Sequence, residues 1–431
     1  MEKYNFIFSL KNRGDLLSDN KNSKITKIII VTYPLWDMIL TITSKLLNIS
    51  LPINQVARLI IMIYFFRKIK NRRQIVSILI LFVLLFCGEA TYIMRGNNIL
   101  GDIAYILKIL FFVICIYSFD NMLENKIISR EELIEYIVLS GFLITVSIII
   151  SPFGLGFKSW DNEFRSGYKG LFMGQNLVTA TLLIINPLNM YLILKTKKFR
   201  YYILYLMNFL SLLLIGTKSG LVGAIVLLVF ELLILIKHTK RNFLKYSLMC
   251  FMLPIIFFLM YLSKEYFIKF FREQINLYQQ MNFTNLSSFL ISNRDLQTIY
   301  IKDYIFGTFN YNPIFLFGLG YSQANHIINM NKSSFQAIEM DLQGILYYSG
   351  LWILLYIIVL IGKRIFYSIS NLIKNKFQIR DYFIIFSIVI GSIHAVFGGH
   401  VIYEALTSLY FAASLSLAKN IKRDNEGVKD E

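Results

Sequence analysis

The sequence predicts an all-α polytopic membrane protein with about twelve transmembrane helices and one large extracytoplasmic connection. Composition is the first reason. Of 431 residues, 56% are hydrophobic and 16% charged, and the mean hydropathy is +0.57. A soluble domain runs nearer about 45–50% and about 25%. The second reason is that the apolar residues fall in runs of about 17–25, the length of one membrane span. The third is that Lys and Arg gather in every second connection between those runs, as the positive-inside bias requires.

The runs read in order as spans at 27–47, 52–66, 74–94, 99–119, 133–152, 175–195, 200–216, 219–237, 243–262, 342–362, 380–397 and 399–418. The second is short, and only Gly398 and Gly399 part the last two. The segment through Asn22 is polar and basic without an early apolar core, so no cleaved leader is expected and the first span is retained. That segment carries Lys3, Lys11, Arg13, Lys21 and Lys24, and the second connection reads RKIKNRRQ. The sixth reads KTKKFR, the eighth KHTKRNFLK, and the tenth and the C-terminal tail are basic as well. Both termini are therefore expected in the cytoplasm. The expected organisation is a tail at 1–26, spans one to nine at 27–262, an outer connection at 263–341, three spans at 342–418 and a tail at 419–431.

The formal charge of +18 belongs to this topology and not to nucleic-acid binding. Cys87, Cys115 and Cys250 lie inside apolar runs with no C-x-x-C pair, which excludes a disulfide framework and a thiolate metal site. Asn282 and Asn285 match a glycosylation sequon, but a composition rich in Lys, Asn and Ile is that of a low-GC bacterium. A bacterial cytoplasmic membrane is the expected location.

The predicted topology exports the fifth connection (Phe153–Gly174), the very short seventh (Thr217–Ser219) and the ninth, which begins at Ser263 and is the longest. Within the ninth, Tyr266–Phe283 is aromatic and amphipathic, suited to lying on the bilayer surface. Positive charge on this side runs against the topological bias, yet Lys158, Arg165, Lys169, Lys218, Arg272, Arg294 and Lys302 are all there. Each taken alone reads as a solvated or headgroup-anchoring charge. As a set they suit a phosphate or pyrophosphate. In FRSGYKGLFMGQN, Arg165 and Lys169 sit among Gly167, Gly170 and Gly174, which let backbone N–H groups approach an anion, and Asn176 opens the next run.

Asp37, Arg58, Glu89, Asp102, Lys108 and Glu231 fall inside predicted spans, where charge either pairs structurally or lines a cavity. Glu339 and Asp341 precede the tenth span, either as helix-capping acids or, for one of them, as a general base. His326, on the exported side, is an acid–base candidate. His238 reads as surface. His400 and Glu404 are four apart, two ligands at most of a metal site, so no metal is expected. Ser219 lacks a His/Asp partner for a hydrolase triad. Neither a Walker loop nor G-x-G-x-x-G occurs, so no nucleotide cofactor is expected.

The order of these motifs resembles the O-antigen ligase and polymerase superfamily, and most closely Gram-positive capsule polymerases of the Wzy type. RSGYKGLFxxxN resembles that family's R-x-x-G-x-x-x-N region, and LLLIGTKSG its L-x-T-x-S-R-G. The outer connection with Arg294, PIFLFGLG and EMDLQGILYYSGL follow in the same order. The resemblance covers roughly 161–351 and implies the helical membrane fold shared by these ligases and the cell-wall polymerase RodA, a GT-C-like architecture. It implies a metal-independent inverting glycosyltransferase that joins undecaprenyl-pyrophosphate-linked repeat units into a surface polysaccharide at the outer leaflet. Its partners would be that lipid-linked oligosaccharide, the growing glycan, the bilayer, a chain-length regulator and a flippase.

Carried over by position, Arg165 and Arg294 take the donor pyrophosphate with Lys169 supporting them, and Asn176 borders that site. Glu339 is the first choice of base and Asp341 the second, where ligases carry a histidine. The chain departs from the pattern at Ser219–Gly220, where the family often shows Ser-Arg, with Lys218 as the candidate substitute. Three other readings stand beside the polymerase, one of them a purely structural assembly subunit that would lose no polymer when Arg165 or Arg294 is neutralised. A ligase would serve another acceptor. A lipid-linked oligosaccharide flippase would show short loops and internal two-fold similarity, and neither is visible.

Overall fold

The computed structural model describes residues 2–46, 48, 53–93, 99–160, 167–238, 272, 294–308, 313–330, 337–374 and 378–419. The predicted ninth span at 243–262, Arg165 and the surface stretch at 266–283, apart from an exposed Arg272, lie outside them.

The first part of the chain is helical: α1 (Glu2–Leu46), α2 (Ile53–Phe66), α3 (Arg72–Ile93), α4 (Ile99–Glu124) and α5 (Arg130–Ile149). A two-stranded hairpin of β1 (Phe157–Lys158) and β2 (Tyr168–Gly170) precedes α6 (Gln175–Thr196), α7 (Phe199–Ile215) and α8 (Lys218–His238). From the predicted outer connection come α9 (Arg294–Thr308), α10 (Pro313–Phe317) and α11 (Tyr321–Met330). Then follow α12 (Asp341–Ser349), α13 (Leu351–Lys374), α14 (Ile379–Phe397) and α15 (Ala405–Leu417).

Local sequence explains the starts. At α5 a capping box forms, with the Ser129 hydroxyl accepting from the Glu132 N–H at 3.1 Å and the Glu132 carboxylate from the Ser129 N–H at 2.8 Å. At α8 the Thr217 hydroxyl accepts from the Gly220 N–H at 3.1 Å.

Among the described residues, six helices are long and apolar enough to cross a membrane: Lys21–Leu46, Gly101–Glu124, Arg130–Phe153, Gln175–Thr196, Leu351–Lys374 and Ile379–Phe397. Gln55–Phe66, Phe199–Ile215 and Ala405–Leu417 are shorter apolar helices. The chain is a multi-pass membrane protein. Helix α6 is its hub, buried from Leu177 to Ile193 and packed against α5, α7, α8, α14 and α15.

Lipid tails are as apolar as leucine, so polar contacts and close packing hold such a bundle together, at about 0.6 kcal/mol per interhelical hydrogen bond. The Ser387 hydroxyl donates to the Ile184 carbonyl at 2.8 Å, Tyr410 to Ile30 at 2.9 Å and Ser416 to Ile116 at 3.0 Å. At the end predicted to face the cytoplasm, Asp120 of α4 is fully buried and pairs with Arg364 of α13. Lys419 reaches Asp120 at 3.5 Å and Glu124 at 2.5 Å, and Arg130 donates to the Lys419 carbonyl. This network staples α4, α5, α13 and the segment after α15.

Three boundaries differ from the sequence reading. Helix α1 begins at Glu2, inside the expected tail. The expected span 342–362 is broken at Gly350 and its membrane-length helix lies further on, at Leu351–Lys374. The cause is a chain crossing, where the Leu319 and Gly320 N–H groups donate to the carbonyls of Tyr347 and Tyr348 at 2.8 and 3.0 Å. The expected last span begins only at Ala405, because residues 398–404 form a loop.

Candidate functional site

Buried threonines bring three helix N-termini to one level at the predicted outer end. Thr179 of α6 and Thr217 at the head of α8 share a hydrogen bond at 3.0 Å. Thr407 of α15 meets Thr181 at 2.9 Å and donates to the Leu177 carbonyl at 3.0 Å. The partial positive charge of each helix start therefore lies on the same side, a natural setting for anions.

The fifth connection packs onto this level. The Leu171 N–H donates to the Ser147 hydroxyl at 2.7 Å, and the Ser159 hydroxyl to the Ile215 carbonyl at 2.9 Å. Gly167 lies so close to the end of α7 that a Cβ there would be 2.2 Å from the Ile215 carbonyl oxygen. Lys169, on β2, is 7% exposed. Asn176 lies half-buried in the first turn of α6, and Lys218 and Ser219 open α8, also half-buried. At Gly220, after Ser219, an added Cβ would sit 2.7 Å from the Thr217 hydroxyl and 3.1 Å from the Leu212 carbonyl, so the position is too close-packed for a side chain.

A second group of side chains is built on carboxylates. The Arg294 Nε donates to Glu339 at 2.7 Å and its Nη1 to the Phe397 carbonyl at 3.0 Å. The Glu339 N–H is in turn held by Gln297 at 3.0 Å. Two residues assigned from sequence to separate tasks are thus in direct contact. Asp341 is fully buried, its oxygens accepting from the N–H groups of His400, Val401 and Ile402 at 2.8, 2.7 and 2.8 Å. Burial pushes its carboxyl up to about 7 against the opposing pull of those three donors. Its oxygens are committed to the loop at 398–404.

That loop is tightly determined. Gly399 has φ +68°, and a Cβ there would be 1.7 Å from the Glu339 carbonyl oxygen. His400 also holds a left-handed φ of +64°. Strain of this kind persists where surrounding bonds over-determine it. The loop delivers Glu404 to Lys108 of α4 at 3.4 Å. Lys108 holds the Glu404 carboxyl down at about 2, below the ordinary carboxylate range. Burial lowers the pKa of His400 against the opposing pull of Glu404 and Glu339. Tyr403 bonds Tyr105 and donates to the Asp341 carbonyl at 2.9 Å, and Ser322 of α11 donates its N–H to Asp102 at 2.7 Å.

Of the residues singled out from sequence, the structure groups Lys169, Asn176, Lys218 and Ser219 around the level helix starts. It groups Arg294, Glu339 and Asp341 around the 398–404 loop. His326 is exposed on α11, where Ala324, Ile327 and Ile328 make the packed face. Glu404 faces Lys108, and among the described residues no group of three or more His, Cys, Asp or Glu is placed to hold a metal. Sequence reasoning flagged Lys108 and Glu404 separately but missed their pairing, and missed the threonine pairs altogether. Four-residue spacing and charge within a span were the only signals.

Fold and site together define a multi-pass helical membrane protein with a charged, helix-start-rich site at one end. The family model described as O-antigen ligase like membrane protein matches residues 19–285, well over half of the chain. The chain belongs to this O-antigen ligase-like membrane protein family. The match takes in Lys108, Lys169, Asn176 and Lys218 and ends before Arg294, Glu339, Asp341 and Glu404. No curated protein matches the chain.

Proposed function

We propose that the protein is a membrane glycosyltransferase that polymerises undecaprenyl-pyrophosphate-linked oligosaccharide repeat units into a surface polysaccharide. The observation that carries this is the loop that links the two groups of side chains. Three level helix starts with Lys169 and Lys218 suit a pyrophosphate, and the loop leading into the third of them, α15, is held by Asp341, two residues along the chain from the Arg294–Glu339 ion pair. Family membership supports glycan chemistry in a membrane.

In this reading the donor pyrophosphate lies against the starts of α6 and α8, with Lys169, Lys218, Asn176 and Arg165. Negative charge develops there as the lipid pyrophosphate departs, so fixed donors lower the barrier. Glu339 takes the proton of the acceptor hydroxyl as its oxygen forms the bond to the anomeric carbon and the pyrophosphate oxygen leaves. Configuration inverts in this single displacement. Arg294 orients Glu339 and neutralises charge beside the donor. Asp341 anchors the loop. The site faces outward, with both termini in the cytoplasm of a bacterial cell, and a flippase and a chain-length regulator act on either side of the reaction.

Purified protein incubated with lipid-linked repeat units alone is expected to yield a ladder of chain lengths. A single addition to a different acceptor would identify a ligase, and no glycan transfer at all would overturn the reading.

A further inference from the structure

The Lys108–Glu404 pair differs from the other deep ion pair of the bundle. Asp120 and Arg364 are 0% and 6% exposed, sealed as a structural pair. Lys108 and Glu404 keep 27% and 28% of their side chains accessible, although Lys108 lies within the span Gly101–Glu124. Charge at that depth faces either the bundle interior or a water-filled cleft. Accessible side chains mean that this pair is not sealed in the interior as Asp120–Arg364 is.

The pair also has bonding capacity left over. At 3.4 Å it is longer than the 2.7 Å of Arg294–Glu339. An ammonium has three donors and a carboxylate about four acceptor positions. Glu404 is the N-cap residue of α15, yet its side chain makes no capping bond. Arg58 of α2 lies near enough for its charge to act on Glu404, is 5% exposed, and its Nε has no hydrogen-bond partner among the described residues. One acceptor group and one cationic donor thus meet, with Arg58 near by, at a position fixed by Asp341 and Tyr403.

Resting on the polymerase reading, we propose that Glu404, Lys108 and Arg58 form a hydroxyl-binding subsite for the acceptor glycan. The paired charges decide the ligand class. An anion would meet the ionised Glu404, whereas neighbouring sugar hydroxyls donate to Glu404 and accept from Lys108 and Arg58 without adding charge to the site. The donor pyrophosphate occupies the other half, at the starts of α6 and α8. The subsite therefore positions the acceptor hydroxyl and takes no part in proton transfer.

The test uses full-length protein in nanodiscs and the oligosaccharide released by mild acid from the cell's own lipid-linked repeat unit. Glu404→Gln is expected to weaken oligosaccharide binding about tenfold while binding of undecaprenyl pyrophosphate without glycan is unchanged. Equal oligosaccharide affinity in wild type and variant overturns the proposal. Should the variant not fold, the wild-type protein answers with oligosaccharide whose vicinal diols have been cleaved by periodate. Undiminished binding of that probe overturns the subsite too. Ladder formation by the wild-type protein is a separate readout, so failure of the polymerase reading is distinguishable from failure of the subsite.

Discussion

Arg294 and Glu339 meet at 2.7 Å, and the contact sets what their variants should do. Glu339→Gln is expected to slow turnover at least about a hundredfold, the low end for a lost general base, with donor binding unchanged. Unaltered turnover in a quench-flow assay would remove it as the base. Arg294→Ala should leave protein in the membrane but abolish long chains, and a normal ladder on gels contradicts that. Glu404 offers a pH test. Its folded-state value of about 2 lies below the ordinary 4.5, so its stabilisation is complete above about 4.5 and is lost as pH falls through about 2. The thermal penalty of Glu404→Gln should therefore be constant from about pH 8 to about pH 5; a penalty that fades within that range refutes the assignment. Arg294 was legible in the sequence because positive charge on the exported side runs against the topological bias, and Glu339 because it precedes a span at the place where the resembled ligases carry a histidine. The Lys108–Glu404 pairing was not, since the partners stand 296 positions apart and only the fold brings them together.

Among the elements, the loop at 398–404 hangs on the Asp341 carboxylate. Asp341→Ala strips an acceptor from three buried N–H groups. Each orphaned donor costs about 1–3 kcal/mol, so a loss of roughly 3 kcal/mol or more is expected. A thermal midpoint equal to wild type would show that the loop does not depend on it. Helix periodicity and hydropathy located most helices, because an apolar run of span length has few alternatives in lipid. The breaks were harder to see. Gly350 and the pair Gly398–Gly399 lie inside or between apolar runs, and backbone crossings between distant segments end the helices there. Thr179, Thr181 and Thr407 are equally hidden: a hydroxyl in an apolar run reads as tolerated polarity until its partner is known.

For the whole molecule, charge alternation between connections makes a prediction about sidedness. In a background without native cysteines, Phe153→Cys, at an 81% exposed position, should react with a membrane-impermeant thiol reagent in intact cells. Arg72→Cys should react only after permeabilisation. The reverse pattern would invert the orientation and place the site in the cytoplasm. The family match ends at residue 285, so the cationic half of the site lies in the shared part of the chain and the carboxylate half beyond it.

The buried staple of Asp120, Arg364, Lys419 and Glu124 has a mechanical consequence. It joins α4 to α13 and to the segment after α15 at the end away from the site, and opening it would leave charges unpaired in a low-dielectric interior. That end acts as a fulcrum. Any splaying of these helices is smallest at the staple and grows toward the opposite end, through the level where Glu404 and Lys108 face each other. Under the polymerase reading, a bulky glycan would then be admitted by a small tilt about a fixed base, with no rearrangement of the helical core.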